Sequence, residues 1–250
     1  MVPCYLINLD RSMDRLGFIG KRLEDLKIPY SRIVAIDGRM LSEIEQTAFI
    51  EARPRDGRSW GSGQIGCFMS HMNAWQKIAE GEAPFGLVLE DDIHLSDAAP
   101  ALLKDLSWIP LNADIVRVES TGQWLSLGPT VTVVGSRSIR RVQSAAWGAG
   151  AYIMSKTAAG GLMRIEAKQH TPVDDFLFNL VSSAVAQTLN IYQIVPALAE
   201  QDKFKADQSM SRGFGSGIEV GKINQRLQGL SALRRTVTST LRGKSRVDFE

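Results

Sequence analysis

The chain has 250 residues, 44% of them hydrophobic and 22% charged, with a formal net charge of +2. That length supports one sizeable core, and no run approaches the roughly 18–20 apolar residues of a membrane-spanning helix. Cys4 and Cys67 form neither a metal-binding spacing nor a disulfide framework, and each sits among apolar residues, so both read as buried free thiols.

Residues 2–9 are a short apolar run with no basic stretch ahead of it, and Asp10 ends it too soon for a signal-peptide core. The run therefore reads as a first strand and the chain as cytoplasmic. Met13, Leu16, Ile19, Leu23 and Leu26 then recur every three or four residues, the buried face of a helix closed by Pro29. Residues 31–36 form a second strand ended by Asp37-Gly38, and strand, helix, strand at these lengths is a βαβ unit with parallel pairing. A helix is expected over 41–52, and a polar, glycine-rich loop with three arginines over 53–63. A second helix over 64–80 has Ile65, Phe68, Met69, Met72, Trp75 and Ile78 on its apolar side. Residues 85–89 are a fully apolar strand that delivers Glu90-Asp91-Asp92, and 113–118 repeats the pattern, ending in Glu119. A hairpin around Gly135-Ser136 follows, then a strand over 149–154, helices over 156–167 and 174–186, and a last strand over 191–195.

The C-terminal stretch differs in charge. Lys222, Arg226, Arg234, Arg235, Arg242, Lys244 and Arg246 fall between Glu219 and Asp248 with no acid among them, behind a small-residue linker at 212–217. Ile223, Leu227, Leu230, Leu233, Val237 and Leu241 are spaced through it. This gives two regions, a domain over 1–210 and a basic helical tail over 211–250. The tail suits an anionic membrane surface, which would make the protein peripheral on the inner membrane, or else is plainly solvated; nucleic acid is not the expected partner.

Three consecutive acids at the end of a buried strand repel one another unless a cation, arginines or a helix N-terminus compensates. In a parallel α/β sheet ligands gather beyond the carboxyl ends of the strands. Residues i and i+2 of an extended segment point the same way, so Glu90 and Asp92 can share one hard divalent cation and leave positions for phosphate oxygens. A helix cap or surface turn is the alternative reading of the run.

Seven segments, in order, resemble glycosyltransferase family 25, which includes bacterial lipooligosaccharide galactosyltransferases and the collagen galactosyltransferases. They are residues 5–15, Ala35-Ile36-Asp37-Gly38, Gly66-Cys67-Phe68-Met69-Ser70-His71, Leu87-Val88-Leu89-Glu90-Asp91-Asp92, residues 150–155, Pro172-Val173-Asp174-Asp175-Phe176 and residues 196–201. The resemblance covers about 2–205. It implies an α/β, GT-A type fold with a mostly parallel, Rossmann-like sheet flanked by helices. It further implies metal-dependent, inverting transfer of a hexose, often galactose, from a UDP-sugar, with Mn²⁺ or Mg²⁺, to a lipid-linked oligosaccharide of the lipopolysaccharide type.

Carried over, Glu90-Asp91-Asp92 stands for the DXD element, with Asp92 and Glu90 toward the metal, Glu90 also nearer the sugar or ribose, and Asp91 structural. Asn8, Arg11 and Arg15 flank the nucleotide, with Arg11 or Arg15 on phosphate or else simply solvated, and Asp37 accepts from ribose hydroxyls or else makes a plain Asp-Gly turn. His71 is assigned to the active site, against the ordinary structural role of a helical histidine. Asp174 or Asp175 is the general base that takes the acceptor's proton, or else an N-cap acid. Residues 200–202 are expected to complete the metal or acceptor site. The chain departs from the family pattern at 205–210 and at Arg117 and Glu119. A phosphohydrolase or nucleotidyltransferase, and a silent sugar-binding module, are the rival readings.

Overall fold

The computed structural model describes residues 1–49, 61–165, 171–204 and 244–249. Residues 53–60 of the arginine-bearing loop expected over 53–63, the linker at 212–217, the boundary near 210 and the basic segment through 243 lie outside the described residues.

The N-terminal third forms as its periodicity dictates. Strand β1 (Cys4–Asn8) leads through helix α1 (Met13–Asp25) into β2 (Tyr30–Val34), which pairs with β1 in parallel. Helix α2 (Glu43–Phe49) precedes the long helix α3 (Ser62–Glu80), and β3 (Phe85–Glu90) then returns to the other side of β1, again in parallel, with Ile7 beside Glu90. Successive residues of β3 face opposite sides, Leu87 and Leu89 toward α1 with its buried Ile19 and Leu23, and Val88 toward α3 with Phe68, Trp75 and Ile78. Both faces are covered, which is why β1 and β3 read as unbroken apolar runs rather than alternating ones.

After a short strand β4 (Ile93–Leu95) and helix α4 (Ala99–Lys104), the chain contributes β5 (Ile115–Arg117) and β6 (Glu119–Ser120). The hairpin of β7 (Trp124–Val134) and β8 (Arg137–Val142) turns at Gly135, whose φ of +57° is left-handed. Strand β9 (Ala151–Ser155), helix α5 (Lys156–Met163), helices α6 (Val173–Phe178) and α7 (Ala184–Thr188), β10 (Ile191–Val195), β11 (Ala199–Gln201) and β12 (Lys244–Arg246) complete the described elements.

The main sheet has nine strands in the order β12-β7-β8-β10-β5-β9-β3-β1-β2. The expectation of a mostly parallel sheet is corrected here. Only β1–β2, β1–β3 and β5–β10 are parallel; the other five junctions are antiparallel, so the sheet is mixed. Two of the five come from β9, which the loop before it sends back between β3 and β5 in the opposite direction, and the other three from the β7–β8 hairpin and its pairing with β10 and β12. A second, three-stranded sheet, β4-β11-β6, lies just beyond the carboxyl ends of β3 and β5. Its strands are two or three residues long, too short for a periodicity to announce them.

Two further expectations change. The single helix over 174–186 is broken at Asn179, whose Oδ1 accepts the N–H groups of Val181 and Ser182, while Ser183 caps α7 by accepting from Ala186 N–H. Local side-chain acceptors outcompete the helical ladder there. The C-terminal tail is not helical throughout. Lys244, Ser245 and Arg246 pair antiparallel with Ser126, Leu125 and Trp124, which also makes β10 no longer the last strand. Val247 is buried at 2% exposure, its carbonyl accepts from Ser120 Oγ at 2.6 Å, and Asp248 O accepts from Ala197 N–H.

Placing a charge at that buried position tests whether the end of the chain is part of the fold. The Val247→Asp variant should lose about 2–4 kcal/mol of unfolding free energy in denaturant titrations. A variant as stable as the wild type would show that β12 is not docked.

A candidate active site at the carboxyl edge of the sheet

Strand β3 carries its three acids to the edge where β1 also ends, and each carboxylate meets a different neighbour. Asp91 turns back toward the first strand, where Asn8 Nδ2 donates to it at 2.8 Å and Arg15 at 3.1 Å. Asn8 is itself fully engaged, donating to Ser12 O and accepting from Arg32 Nε. Glu90 uses its two oxygens on two sides. Oε1 faces His71 Nε2 at 3.2 Å and Cys67 Sγ at 3.7 Å; Oε2 accepts from Gln201 Nε2 at 2.8 Å. Asp92, 5% exposed, has Oδ1 at 3.5 Å from the same Gln201 nitrogen, and its backbone oxygen accepts from Asp202 N–H. Gln201 thus spans Glu90 and Asp92.

Burial, and then the charge of Glu90, raises Asp92 to about 7. Burial also raises Asp91, against the hydrogen bond from Asn8 and the Arg15 charge. Glu90 feels the same pull upward, but the His71 hydrogen bond and the ammonium of Lys203 are among the contacts that outweigh it and leave Glu90 below its ordinary value.

Behind Glu90 a buried relay sets the histidine. Trp75 Nε1–H, a donor only, points at Tyr152 Oη at 2.7 Å, and Tyr152 Oη lies 2.8 Å from His71 Nδ1. The arrangement that satisfies every donor runs Trp75 to Tyr152, Tyr152 O–H to His71 Nδ1, and His71 Nε2–H to Glu90. His71 is wholly buried, with Nε2 facing Glu90 Oε1.

In front of the acids lies a cleft of about 360 Å³, and Asn8, Arg11, Arg15, Asp37, Glu90, Asp91 and Asp92 all line it, as do Cys67 and Lys203. The opposite wall is made by close backbone approach. A Cβ on Gly38 would lie 1.7 Å from Ser62 O, and one on Gly66 would lie 2.4 Å from Ile36 O. Ser70 Oγ ties the two segments by accepting from Ile36 N–H and donating to Gly66 O. On this wall Arg11 at 3.0 Å and Arg39 at 2.8 Å both reach Asp37. The Arg39 hydrogen bond holds Asp37 below its ordinary value, and both of its oxygens are occupied.

The two acids at the start of α6 are not among the residues lining the cleft. Asp175 Oδ1 accepts from Asn179 Nδ2 within its own helix, whereas Asp174 Oδ2 accepts from Gly148 N–H at 3.2 Å. The charge of Asp174 nevertheless contributes to raising the Cys67 thiol, whose upward shift comes first from burial and then from Glu90.

Sequence reasoning gave no role to Lys203 at the cleft, to Tyr152 and Trp75 behind His71, or to Cys67 as a neighbour of Glu90, although Cys67 and Tyr152 lie within two of the seven segments. Gln201 was visible only as one member of 200–202. Arg117 and Glu119, noted as departures, form a buried node. Arg117 donates to Trp147 O at 2.7 Å, Gly148 O at 2.8 Å and Gln193 Oε1 at 3.2 Å, and lies over the Phe178 ring at 4.4 Å. Glu119 Oε1 is 3.5 Å from Arg117, and Oε2 accepts from Gly150 N–H. The pair pins the loop that sets Gly150 against Gln201, where a Cβ would lie 2.7 Å from Nε2.

Two donor sets could receive a cation. Cys67, His71 and Glu90 place ligand atoms within 4.8 Å of one another, a sulfur–nitrogen–oxygen set suited to a soft or borderline ion. Glu90 Oε2 and Asp92 Oδ1 supply oxygens alone, which suit Mg²⁺ or Mn²⁺. Gln201 presents its amide nitrogen to these two oxygens, and its Oε1, at the other end of the amide, is buried without a hydrogen-bond partner. The residues present therefore fit a hard divalent cation.

Fold and site together define a mixed α/β protein with a polar cleft at the carboxyl edge of its central strands, floored by acids and walled by arginines. The sequence model of glycosyltransferase family 25 (LPS biosynthesis protein) matches residues 1–177, and the chain belongs to that family of transferases. It is 31% identical over 184 residues to procollagen galactosyltransferase 1-B of Xenopus laevis, covering 69% of this chain and 30% of that one. This chain thus spans about a third of that relative's length. It is 26% identical over 237 residues to the lacto-N-neotetraose biosynthesis glycosyltransferase LgtB of Neisseria meningitidis serogroup B, covering 90% of this chain and 84% of that one. Among solved structures, the galactosyltransferase LgtC in complex with donor and acceptor sugar analogs aligns with a TM-score of 0.37 at 11% identity, over 80% of this chain and 86% of that one. That likeness is too distant to carry residue roles across.

Two measurements probe the buried groups around the cleft. Tyr152→Phe leaves the Trp75 N–H and His71 Nδ1 unpaired in the core and should cost roughly 2–4 kcal/mol in denaturant titrations; an unchanged midpoint would dismiss the relay. Burial outweighs Arg117 and raises Glu119 from 4.5 to about 8. Its folded value lies above its unfolded one, so the stability it contributes is fully present below about pH 4.5 and is lost as pH rises through about 8. The Glu119→Gln variant lacks that titration. Its stability should gain on the wild type by about 1 kcal/mol per pH unit across the window and run level above it. A difference that does not move with pH would mean that Glu119 stays ionised.

Proposed function

We propose that this chain is a GT-A type, metal-dependent, inverting glycosyltransferase that moves a hexose, galactose for preference, from a UDP-sugar to a lipooligosaccharide- or lipopolysaccharide-type acceptor. The observation that carries the reading is the convergence of Glu90 and Asp92 on one amide at the floor of the cleft, with Arg11, Arg15 and Lys203 among its lining residues. Membership of family 25 and the similarity to procollagen and lacto-N-neotetraose glycosyltransferases support the same class of chemistry.

In this reading Asp92 and Glu90 hold Mn²⁺ or Mg²⁺, which when bound neutralises the diphosphate as it leaves. Asp91 is not a ligand, since Asn8 and Arg15 occupy both of its oxygens. Arg11 and Arg15 lie along the nucleotide, and Asp37, already paired with Arg11 and Arg39, meets the ribose only by sharing those contacts. His71 positions Glu90 from behind. The acceptor hydroxyl oxygen forms its bond to the anomeric carbon on the face opposite the breaking bond to the β-phosphate oxygen, so the configuration inverts. The hydroxyl proton passes to a carboxylate base. Asp174 is preferred over Asp175, which serves the Asn179 turn.

No helix among the described residues is long and apolar enough to cross a membrane. We assign the protein to the cytoplasmic side of the inner membrane, with the basic segment before β12 as the contact to anionic lipid. Sedimentation with anionic liposomes, with and without residues 212–243, tests this; equal binding by both forms would remove the segment from the argument.

For the chemistry, UDP-galactose with Mn²⁺ should raise the melting temperature of the wild type, since a ligand that binds only the native state stabilises it. Asp92→Ala should abolish that increment and lower transfer to a lipooligosaccharide acceptor by at least about 100-fold. Unaltered kinetics in Asp92→Ala would overturn the reading. Phosphate or pyrophosphate released without any acceptor would favour a hydrolase or nucleotidyltransferase, and binding without turnover a silent module.

A further inference from the structure

The charges that line the cleft pair off unevenly. Arg11 and Arg39 both bind Asp37, and Arg15 binds Asp91, so these cations are held by the protein's own acids. Glu90 and Asp92 are left on the acidic side and Lys203 on the basic side. Among the described residues no carboxylate forms an ion pair with the Lys203 ammonium, whose direct neighbour is the Phe204 ring, 4.8 Å from Nζ to the centroid. Its charge is nonetheless felt by Glu90, Asp92 and Glu119 alike, so it stands near the acids without touching them.

The turn that carries this lysine is fixed. Lys203 lies in the 3₁₀ turn Asp202–Phe204, directly after β11. Asp202 ahead of it is wholly buried, its N–H donates to Asp92 O at 2.8 Å, and its Oδ1 lies 2.8 Å from His94 Nε2. The backbone is therefore locked to the turn after β3, while the exposed four-carbon stem keeps its freedom to follow a ligand.

Two carboxylates on one side and an ammonium beyond contact distance on the other make the charge pattern of a slot for a cation–diphosphate pair. The acids answer the cation, the cation answers one set of phosphate oxygens, and the ammonium answers the oxygens that remain. An anion alone would be repelled by Glu90 and Asp92, and a cation alone would be repelled by Lys203. Arg11 and Arg15 reach a phosphate only by sharing it with Asp37 and Asp91, whose charges offset theirs.

We infer that Lys203 binds the diphosphate of the sugar nucleotide and stabilises it as it leaves, with Arg11 and Arg15 given over mainly to the protein's own acids. This rests on the sugar-nucleotide reading above and names the side chain that serves its leaving group. As the bond between the anomeric carbon and the β-phosphate oxygen breaks, its electron pair stays on that oxygen. The ammonium donates a hydrogen bond to the phosphate and keeps its own proton, so the acceptor's proton still passes to the carboxylate base.

Binding of uridine and of UDP to the full-length protein with Mn²⁺, followed by titration calorimetry, separates recognition of the phosphates from recognition of the nucleoside. Lys203→Met should weaken UDP by about tenfold or more and leave uridine within about twofold. The side chain is exposed, so the melting temperature without ligand should stay where it is. Lys203→Arg should recover most of the UDP affinity. In transfer assays Lys203→Met should lower kcat as well as raise KM for the donor, because the charge on the departing oxygen is greatest in the transition state. Unchanged UDP affinity in Lys203→Met, or equal losses for uridine and UDP, overturns the inference and leaves the sugar-nucleotide reading intact. A larger loss of UDP affinity in Arg11→Met or Arg15→Met would return the diphosphate to the arginines and overturn it as well. Raised KM with unaltered kcat removes Lys203 from the departure step. A wild type that binds no UDP, with or without Mn²⁺, sinks both readings together.

Discussion

Three consecutive carboxylates at the end of a buried strand set a problem that the surrounding structure is arranged to answer. Removing a charge from water is costly unless something opposite or hydrogen-bonding replaces the water. Here each acid receives a different answer. Asp91 is tied to the first strand and the first helix through Asn8 and Arg15, Glu90 is held by a histidine on one oxygen and an amide on the other, and Asp92 shares that amide while burial favours its protonated form. The graded solution separates structure from chemistry within one tripeptide.

The elements that supply those answers come from all along the chain. Asn8 ends β1, Arg15 lies in the first turns of α1, His71 is midway along α3, and Gln201 ends β11. The small sheet exists in effect to bring the last of these home, since β11 is wedged between the strands that continue β3 and β5 past the edge of the main sheet. The Arg117–Glu119 pair performs the same service from below. It ties β5 and β10 to the loop at Trp147 and Gly148, so the backbone at Gly150 can support Gln201.

What could be read from the sequence follows from how local each signal is. The βαβ opening, the apolar face of α1, the turn at Gly135 and the acidic end of β3 depend on neighbours within a few residues, and they are where the pattern put them. The seven residues assigned to the nucleotide and metal all border one cleft, because each sits at the end of a strand or in the first turns after one. The direction of β9 was not legible, since an apolar strand looks the same run either way. Nor were the breaks around Asn179, where one side chain competes with a helix that the apolar periodicity favours. Lys203 stands outside the seven segments and Tyr152 inside one of them without a role; only the folded chain shows that the first borders the cleft and the second hydrogen-bonds His71.

The docking of β12 fixes the register of the last described residues. Lys244–Arg246 add a strand at the far edge of the sheet, and behind them Ser120 Oγ donates to Val247 O and Ala197 N–H to Asp248 O. An insertion or deletion of one residue within this short stretch would therefore act far beyond its size. It would turn the side chains of β12 to the opposite face of the sheet and draw Val247 out of the core.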